Sequence, residues 1–364
     1  MPTVIIKKFI IILFSFILIA CSGCEIDSPT QEDGEDSVMS DNNIYHSSVI
    51  HLNNLATSFN DYLYVNSMYV DLVFSDKDEY GMYHSWKMPE DLFLGTWRIH
   101  NIFKYTDKLV CICTNEEGND EIIVYNLDFS IFKRKEIDRF SPKYLYGDLL
   151  YGFSYPSGSK QITIKAINLD SLESEEIYSY ENSKNVDFIV NVSGKVVIVE
   201  NLEGGNTRYS EYKDGLLSSV LDTNSSSPIL YDSRGLFYLE DNNTASEMNL
   251  MLWDGNKSNE IVVVKIDDMS DWLFMGGFSG NVIVFDEFFL SIHYAAEDPY
   301  LLVQQFNSKD SKKVLLKKWN TTEADIARNG ETFSGIYYEN GQIINYFFSD
   351  TESILQTQVL DIEQ

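Results

Sequence analysis

From Ile44 onward, apolar and polar positions alternate in short runs rich in Val, Ile, Tyr, Phe and Leu. Clusters of Gly, Asn, Asp and Ser break these runs roughly every 8–12 residues, as turns between strands would. Long apolar stretches with a 3.6-residue period and caps are missing, so few helices are expected. One run stands apart. Phe9 to Ala20 carries no charge and follows Lys7 and Lys8. It is too short to span a bilayer, and a basic segment followed by a short apolar one has the layout of a secretory signal.

The strand pattern repeats. Val70–Ser75, the loop 76–81 and Met82–Trp86 match Leu109–Thr114, the loop 115–120 and Glu121–Tyr125 without gaps. Each segment reads as the second strand, polar loop and third strand of one unit. Analogous second strands begin near Leu150, Val196, Phe237, Phe288 and Ile343, at intervals of roughly 45 residues. Third strands end in Asn126-Leu127-Asp128, Asn168-Leu169-Asp170, Lys213-Asp214-Gly215 and Trp253-Asp254-Gly255, and fourth strands follow, as at Phe132–Ile137 and Ile261–Ile266.

Four strands per unit, repeated seven times over 44–364, resembles a β-propeller. The resemblance implies an all-β ring of blades, each with two apolar faces that only its neighbours can cover. The reading favours seven four-stranded blades. Six or eight also fit, because 267–286 is irregular, and a pair of β-sandwiches is the alternative architecture. The last unit shows strands near Phe333–Tyr338, Ile343–Phe348 and Ser353–Leu360 but no fourth, whereas Ser47–Leu52 is a spare strand before the first unit. This N-terminal strand is expected to complete the last blade and remove an open edge. The Gly-His and Trp-Asp marks of WD40 repeats and the kelch double glycines do not recur from unit to unit (Trp253-Asp254, Gly204-Gly205 and Gly276-Gly277 are isolated), so no specific propeller family is matched.

The N-terminal apolar run ends in Leu18-Ile19-Ala20-Cys21. Leu18 occupies a position where ordinary signal cleavage wants a small residue. The Leu-x-Ala-Cys ending resembles the bacterial lipobox, which implies cleavage before Cys21 and diacylation of that cysteine. The expected location is then the bacterial cell envelope, extracytoplasmic, with a lipid anchor in a membrane whose leaflet stays open. Three segments follow: a signal peptide over 1–20, a lipidated acidic tether over 21–43, and the propeller over 44–364. Between Ser22 and Asn43 there are seven acidic residues and no basic or aromatic ones, so the tether is expected to be disordered. Its r.m.s. span would be roughly 25–30 Å.

Charge and cysteine usage narrow the partners. Loss of Lys7 and Lys8 with the signal leaves 25 basic against 56 acidic residues, a charge of −31. Such a chain is repelled by phosphate backbones, so nucleic acid is not an expected partner. Cys111 and Cys113 sit two apart on one strand, where a bond between them would be strained, and they are expected as buried, unpaired core residues.

No catalytic constellation emerges. The five histidines form no His-Glu-x-x-His or His-x-His pattern, no Gly-x-Ser-x-Gly elbow occurs, and no metal or cofactor is expected. One distribution remains. Loops joining second and third strands share one face of a propeller, and here they carry Asp76, Asp78 and Glu79; Glu116, Glu117 and Asp120; Glu203; Glu240, Asp241 and Glu247; and Glu297 with Asp298. These twelve residues form a candidate acidic docking face, while Lys133-Arg134-Lys135 lies on an outer strand. The expected role is a membrane-anchored binding module for a protein, basic peptide or glycan. The alternatives are a surface carbohydrate-active hydrolase using a carboxylate pair, and an envelope-assembly scaffold.

Overall fold

The structure is a computed structural model. It describes residues 98–191, 193–244 and 247–265, with the shorter stretches 18–19, 49–51, 56–65, 72–79, 82–87, 92–93, 96, 282–284, 288–293, 300–306, 311–315, 332–339, 342–349 and 354–360. Cys21, the tether and the pair Glu297–Asp298 lie outside the described residues. Strands and turns account for all regular structure among the described residues, and no helix there is long and apolar enough to cross a membrane.

The chain forms a single β-propeller containing six four-stranded antiparallel blades. The first comprises Ala56–Phe59, Tyr62–Val65, Leu72–Lys77 and Tyr83–Lys87, and the second Arg98–Tyr105, Lys108–Thr114, Asp120–Asn126 and Ile131–Glu136. The third comprises Arg139–Tyr146, Leu149–Tyr155, Gln161–Asn168 and Ser174–Glu181, and the fourth Val186–Val190, Val196–Asn201, Thr207–Lys213 and Leu216–Thr223. The fifth comprises Ser226–Asp232, Gly235–Thr244, Glu247–Trp253 and Ser258–Lys265, and the sixth Val282–Val284, Phe288–His293, Tyr300–Gln305 and Ser311–Leu315. Three further strands, Thr332–Glu339, Gln342–Ser349 and Ile354–Leu360, end the chain.

The apolar residues are spent between blades. Along Lys108–Thr114, successive side chains alternate faces. Val110 and Ile112 pack with Leu145, Leu150 and Ile167 of the third blade, while Leu109, Cys111 and Cys113 pack with Phe59, Tyr64 and Val73 of the first. Both faces are buried, which is why this strand reads as a continuous apolar run. Cys111 and Cys113 are fully buried and form no disulfide, as expected for core residues. The same layering joins the third to the fourth and fifth blades through Tyr151, Phe188, Ile198 and Tyr238, and the fifth to the sixth through Phe237, Leu250 and Phe289.

The recurring turn signature has a local cause. In the turn after the second blade's third strand, Asp128 Oδ1 accepts from the Ser130 N–H at 3.0 Å. In the equivalent turn of the fifth blade, Asp254 Oδ1 accepts from the Asn256 and Lys257 N–H groups, both at 3.0 Å. Asn168 Oδ1 does the same for Asp170 and Ser171. These short polar side chains take up backbone donors that the sheet cannot reach. The accepted bonds hold the Asp128 and Asp254 carboxyls below the usual range. Lysines tie neighbouring blades at these turns. Lys135 Nζ donates to the Leu172 carbonyl at 2.7 Å and Lys133 Nζ to that of Asp170. Lys133 and Lys135 of the basic cluster therefore staple the second blade to the third, while Arg134 pairs with Glu121 of its own blade.

Two expectations are corrected. The N-terminal strand Val49–His51 does not pair with the last strands. It runs antiparallel to the inner strand of the third blade, with His51 opposite Tyr144 and Val49 opposite Tyr146. That strand's channel-side edge offers the open backbone groups it needs. The ends of the ring instead meet directly: Thr332–Glu339 lies against Ala56–Phe59, and Leu355 pairs with Tyr83. The second correction concerns the first blade. Leu72–Lys77 and Tyr83–Lys87 are its third and fourth strands, because Ala56–Phe59 and Tyr62–Val65 precede them. An apolar period of two identifies a strand without saying which strand of the blade it is.

Gly152 marks a close approach. It pairs with Pro142, and a Cβ there would stand 2.3 Å from the Ser141 carbonyl oxygen and 2.5 Å from the Phe140 ring. Gly152→Ala should therefore cost about 1–3 kcal/mol in urea-unfolding free energy. Unchanged stability would contradict this packing.

Candidate functional site

In an antiparallel blade, the start of the first strand and the turn between the second and third strands lie at the same end. Around a ring, these ends form one mouth of the central channel. A cavity of about 390 Å³ opens there, lined by residues of the third, fourth and fifth blades. Ser141, Pro142 and Lys143 come from the first strand of the third blade, Asn185 to Asp187 from the start of the fourth, and Ser226 to Pro228 from the start of the fifth. Phe153, Tyr155 and Asn201 add the ends of second strands.

The backbone shapes this cavity through a repeated device. The first strands of the third and fifth blades each carry Ser-Pro followed by one extra residue, Lys143 or Ile229. Proline has no N–H to offer a ladder and is confined to edges and bulges. The channel-side edge of a blade is such a place, and the bulge re-aims the side chains beside it.

Lys143 is the charge at the centre of the site. It is only 9% exposed, yet its Nζ pairs with the Asp187 carboxylate and donates to the Phe188 carbonyl at 3.2 Å. The rings of Tyr144 and Phe188 lie 5.4 and 5.5 Å from the ammonium. Asp187 keeps 40% of its side chain exposed and so presents part of a carboxylate to the cavity. Tyr155 stands at the rim with the Arg139 guanidinium over its ring at 5.9 Å. Burial raises the Tyr155 hydroxyl above its ordinary pKa; Arg139 opposes this and Asp187 adds to it. Beneath the fifth-blade wall, Ser226 Oγ shares hydrogen bonds of 2.8 Å with both Tyr209 and Thr223. Its N–H donates to Thr207 Oγ1 at 3.1 Å, which donates in turn to Asn201 Oδ1 at 3.1 Å. These bonds fix the wall between the fourth and fifth blades.

A second polar cluster occupies the same end of the second blade. Thr114 Oγ1 donates to Asp120 at 2.7 Å and receives the His100 Nε2–H at 2.9 Å. Burial lowers the His100 pKa from 6.5, reinforced by Arg98 and Arg139 and opposed by Asp120.

Of the twelve expected acidic-face residues, Glu116, Glu117, Asp120, Glu203, Glu240, Asp241 and Glu247 sit at or beside turns on the mouth side. Asp120 is engaged by Thr114, and Glu240 accepts the Asn224 N–H at 3.2 Å. Asp76, Asp78 and Glu79 lie near the turn between the third and fourth strands of the first blade, and so on the opposite face. There Asp78 accepts from the Met82 N–H at 2.9 Å and pairs with His84 at 2.8 Å. The sequence signals this cavity only through the Ser-Pro pair repeated at 141–142 and 227–228. Asp187 is the one carboxylate among its lining residues, so no carboxylate pair is assembled there. No cluster of metal-ligating side chains is found among the described residues.

Two measurements test this description. In a double-mutant cycle, Lys143→Met and Asp187→Asn should couple by about 0.5–3 kcal/mol; additive effects would mean the pair is not formed. A lowered histidine pKa means the folded state resists protonation. The neutral form is thus favoured by folding, and stability is lost as pH falls below 6.5 toward the folded value. His100→Gln should flatten that loss in urea unfolding between about pH 6.5 and 5, and an unchanged slope would contradict it.

No protein-family model matches the sequence, and no curated protein does. Solved structures share the fold. The β-propeller domain of the trilobed protease from Pyrococcus furiosus, described as having an open velcro topology, superposes with a TM-score of 0.53 at 11% identity, covering 87% of this chain and 95% of that one. A prolyl endopeptidase superposes with a TM-score of 0.52 at 11% identity, covering 89% of this chain and 51% of that one. The chain thus spans about half of the endopeptidase, and at this identity the likeness is one of fold.

Proposed function

We propose that this chain is a lipid-anchored extracytoplasmic protein whose propeller is a binding module, with the cavity between the third and fifth blades as its ligand seat. The observation that carries this reading is the cavity itself. Three first strands, two of them bulged at Ser-Pro, and the ends of two second strands bring hydroxyls, amides, a carboxylate and two aromatic rings to one channel mouth. Function in propellers resides in such loop and strand ends rather than in the fold.

The finer architecture belongs to the same proposal. The ring counts seven blades, the last of them three-stranded, with a seam where the last strands meet the first blade. The open velcro topology of the Pyrococcus furiosus propeller is a precedent for a ring without a strand-completed last blade. The anchor is Cys21, read from the Leu-x-Ala-Cys ending. The acidic turns Glu116, Glu117, Glu203 and Asp241 ring the same mouth and would favour the approach of a basic partner.

Cys21→Ser should abolish incorporation of radiolabelled palmitate and release the protein from the detergent phase in Triton X-114 partition. Continued labelling would overturn the anchor. For the ligand seat, small-molecule fractions of growth medium are screened by thermal shift. At least one fraction should raise the melting temperature of the wild type and not of Tyr155→Ala; no such fraction would overturn the reading.

A further inference from the structure

We infer that the cavity recognises an uncharged sugar unit, one or two residues of a neutral glycan. This deepens the proposed binding role and rests on it. The lining carries a single cation and a single anion, Lys143 and Asp187, and they are paired with each other. An anionic ligand group would have to break that pair to gain the ammonium, leaving the Asp187 charge unmatched in a partly buried place, and a cationic one would bring a second positive charge beside Lys143. An uncharged ligand meets no such cost.

What remains on the lining is hydrogen-bonding capacity without net charge. Ser141, Ser227 and Asn185 take no part in the bonds that join the blades, and Asn201 is held in place by Thr207. The partly exposed Asp187 carboxylate is fixed on one oxygen by Lys143 and by the Phe188 N–H at 2.7 Å. Its other oxygen can accept from vicinal hydroxyls. Charge-assisted acceptance of this kind is stronger than a neutral hydrogen bond. Phe153 and Tyr155, two apart on one strand, project to the same side. Phe153 is braced edge-on by Phe188 at 5.0 Å. With the Pro142 and Pro228 rings, they offer flat apolar faces for the C–H side of a pyranose. Aromatic planes combined with amide, hydroxyl and carboxylate groups suit a molecule with a C–H face and a rim of hydroxyls. A cavity of about 390 Å³ has room for one or two such rings.

Other ligand chemistries fit less well. A uronate or phosphate would face Asp187, and the nearby arginine, Arg139, lies over Tyr155 at the rim rather than among the lining residues. A cationic peptide reaching the open oxygen of Asp187 would bring its charge beside the Lys143 ammonium, a like-charge contact.

The test uses the mature protein and saturation-transfer difference NMR with cellobiose, lactose, maltose and chitobiose, and with digalacturonate as the charged comparator. At least one neutral disaccharide should give signal. Tyr155→Ala should weaken it by about tenfold or more, and Tyr155→Phe should retain it, since the ring face is kept. Asp187→Asn should weaken binding, with the fold checked by circular dichroism. Silence from all four neutral sugars would overturn the inference, as would tighter binding of digalacturonate that is lost in Arg139→Ala. If sugars are silent while a medium fraction still stabilises the wild type and not Tyr155→Ala, the sugar class falls and the ligand seat stands.

Discussion

Each blade of this propeller has two apolar faces, and both can leave water only when another blade stands on each side. The second blade shows the constraint most clearly. Its strand Lys108–Thr114 sends Val110 and Ile112 one way and Leu109, Cys111 and Cys113 the other, and every one of these side chains is buried. A buried side chain of this size stabilises by about 1.5–3 kcal/mol, so losing a neighbour on either side would expose a large share of a blade's core. The ring must therefore be complete. Here the last three strands meet the first blade directly at Ala56–Phe59 and Tyr83.

A ring built this way leaves the inner edge of each blade facing a channel. Its backbone groups are unpaired by the blade itself and must be matched some other way. The third blade uses two solutions on a single strand. Tyr144 to Tyr146 pair with the N-terminal strand Val49–His51, while Pro142 removes a donor and bulges the chain just before them. The fifth blade repeats the proline bulge at Pro228. The cavity is what these two bulges and the regular first strand of the fourth blade leave between them. Lys143 and Asp187 then lock the third blade to the fourth across it, and Ser226 with Tyr209 and Thr207 locks the fourth to the fifth. The site is thus rigid for the same reason that the ring holds together.

Much of this was legible in the chain. The alternation of apolar residues located the second strands at Leu149–Tyr155, Val196–Asn201, Gly235–Thr244 and Phe288–His293 within a few residues of expectation, and the signatures ending in Asp128 and Asp254 marked real turns because those carboxylates hold backbone donors. The burial of Cys111 and Cys113 without a disulfide followed from their spacing on one strand. Position within the first blade was not legible, because a gapless match of apolar pattern does not distinguish one strand of a blade from the next. Asp76, Asp78 and Glu79 therefore lie on the face opposite to the expected one. The pairing of Val49–His51 was also hidden: an open edge in the third blade competes for a spare strand as well as an open edge in the last. The cavity was illegible, since it joins three segments about 40 residues apart whose residues, mostly Ser, Asn and Pro, look like ordinary turns.

The central claim is that ligand is held at the channel mouth between the third and fifth blades, and amide hydrogen exchange tests it most directly. Exchange is compared for the mature protein alone and with a mixture of cellobiose, lactose, maltose and chitobiose. The account predicts slowed exchange confined to 139–144, 153–155, 185–188, 201 and 226–229, with the outer strands and the acidic turns unchanged. Protection at the acidic turns 115–120 and 202–206 with none at the inner strands, or no protection anywhere, would contradict it.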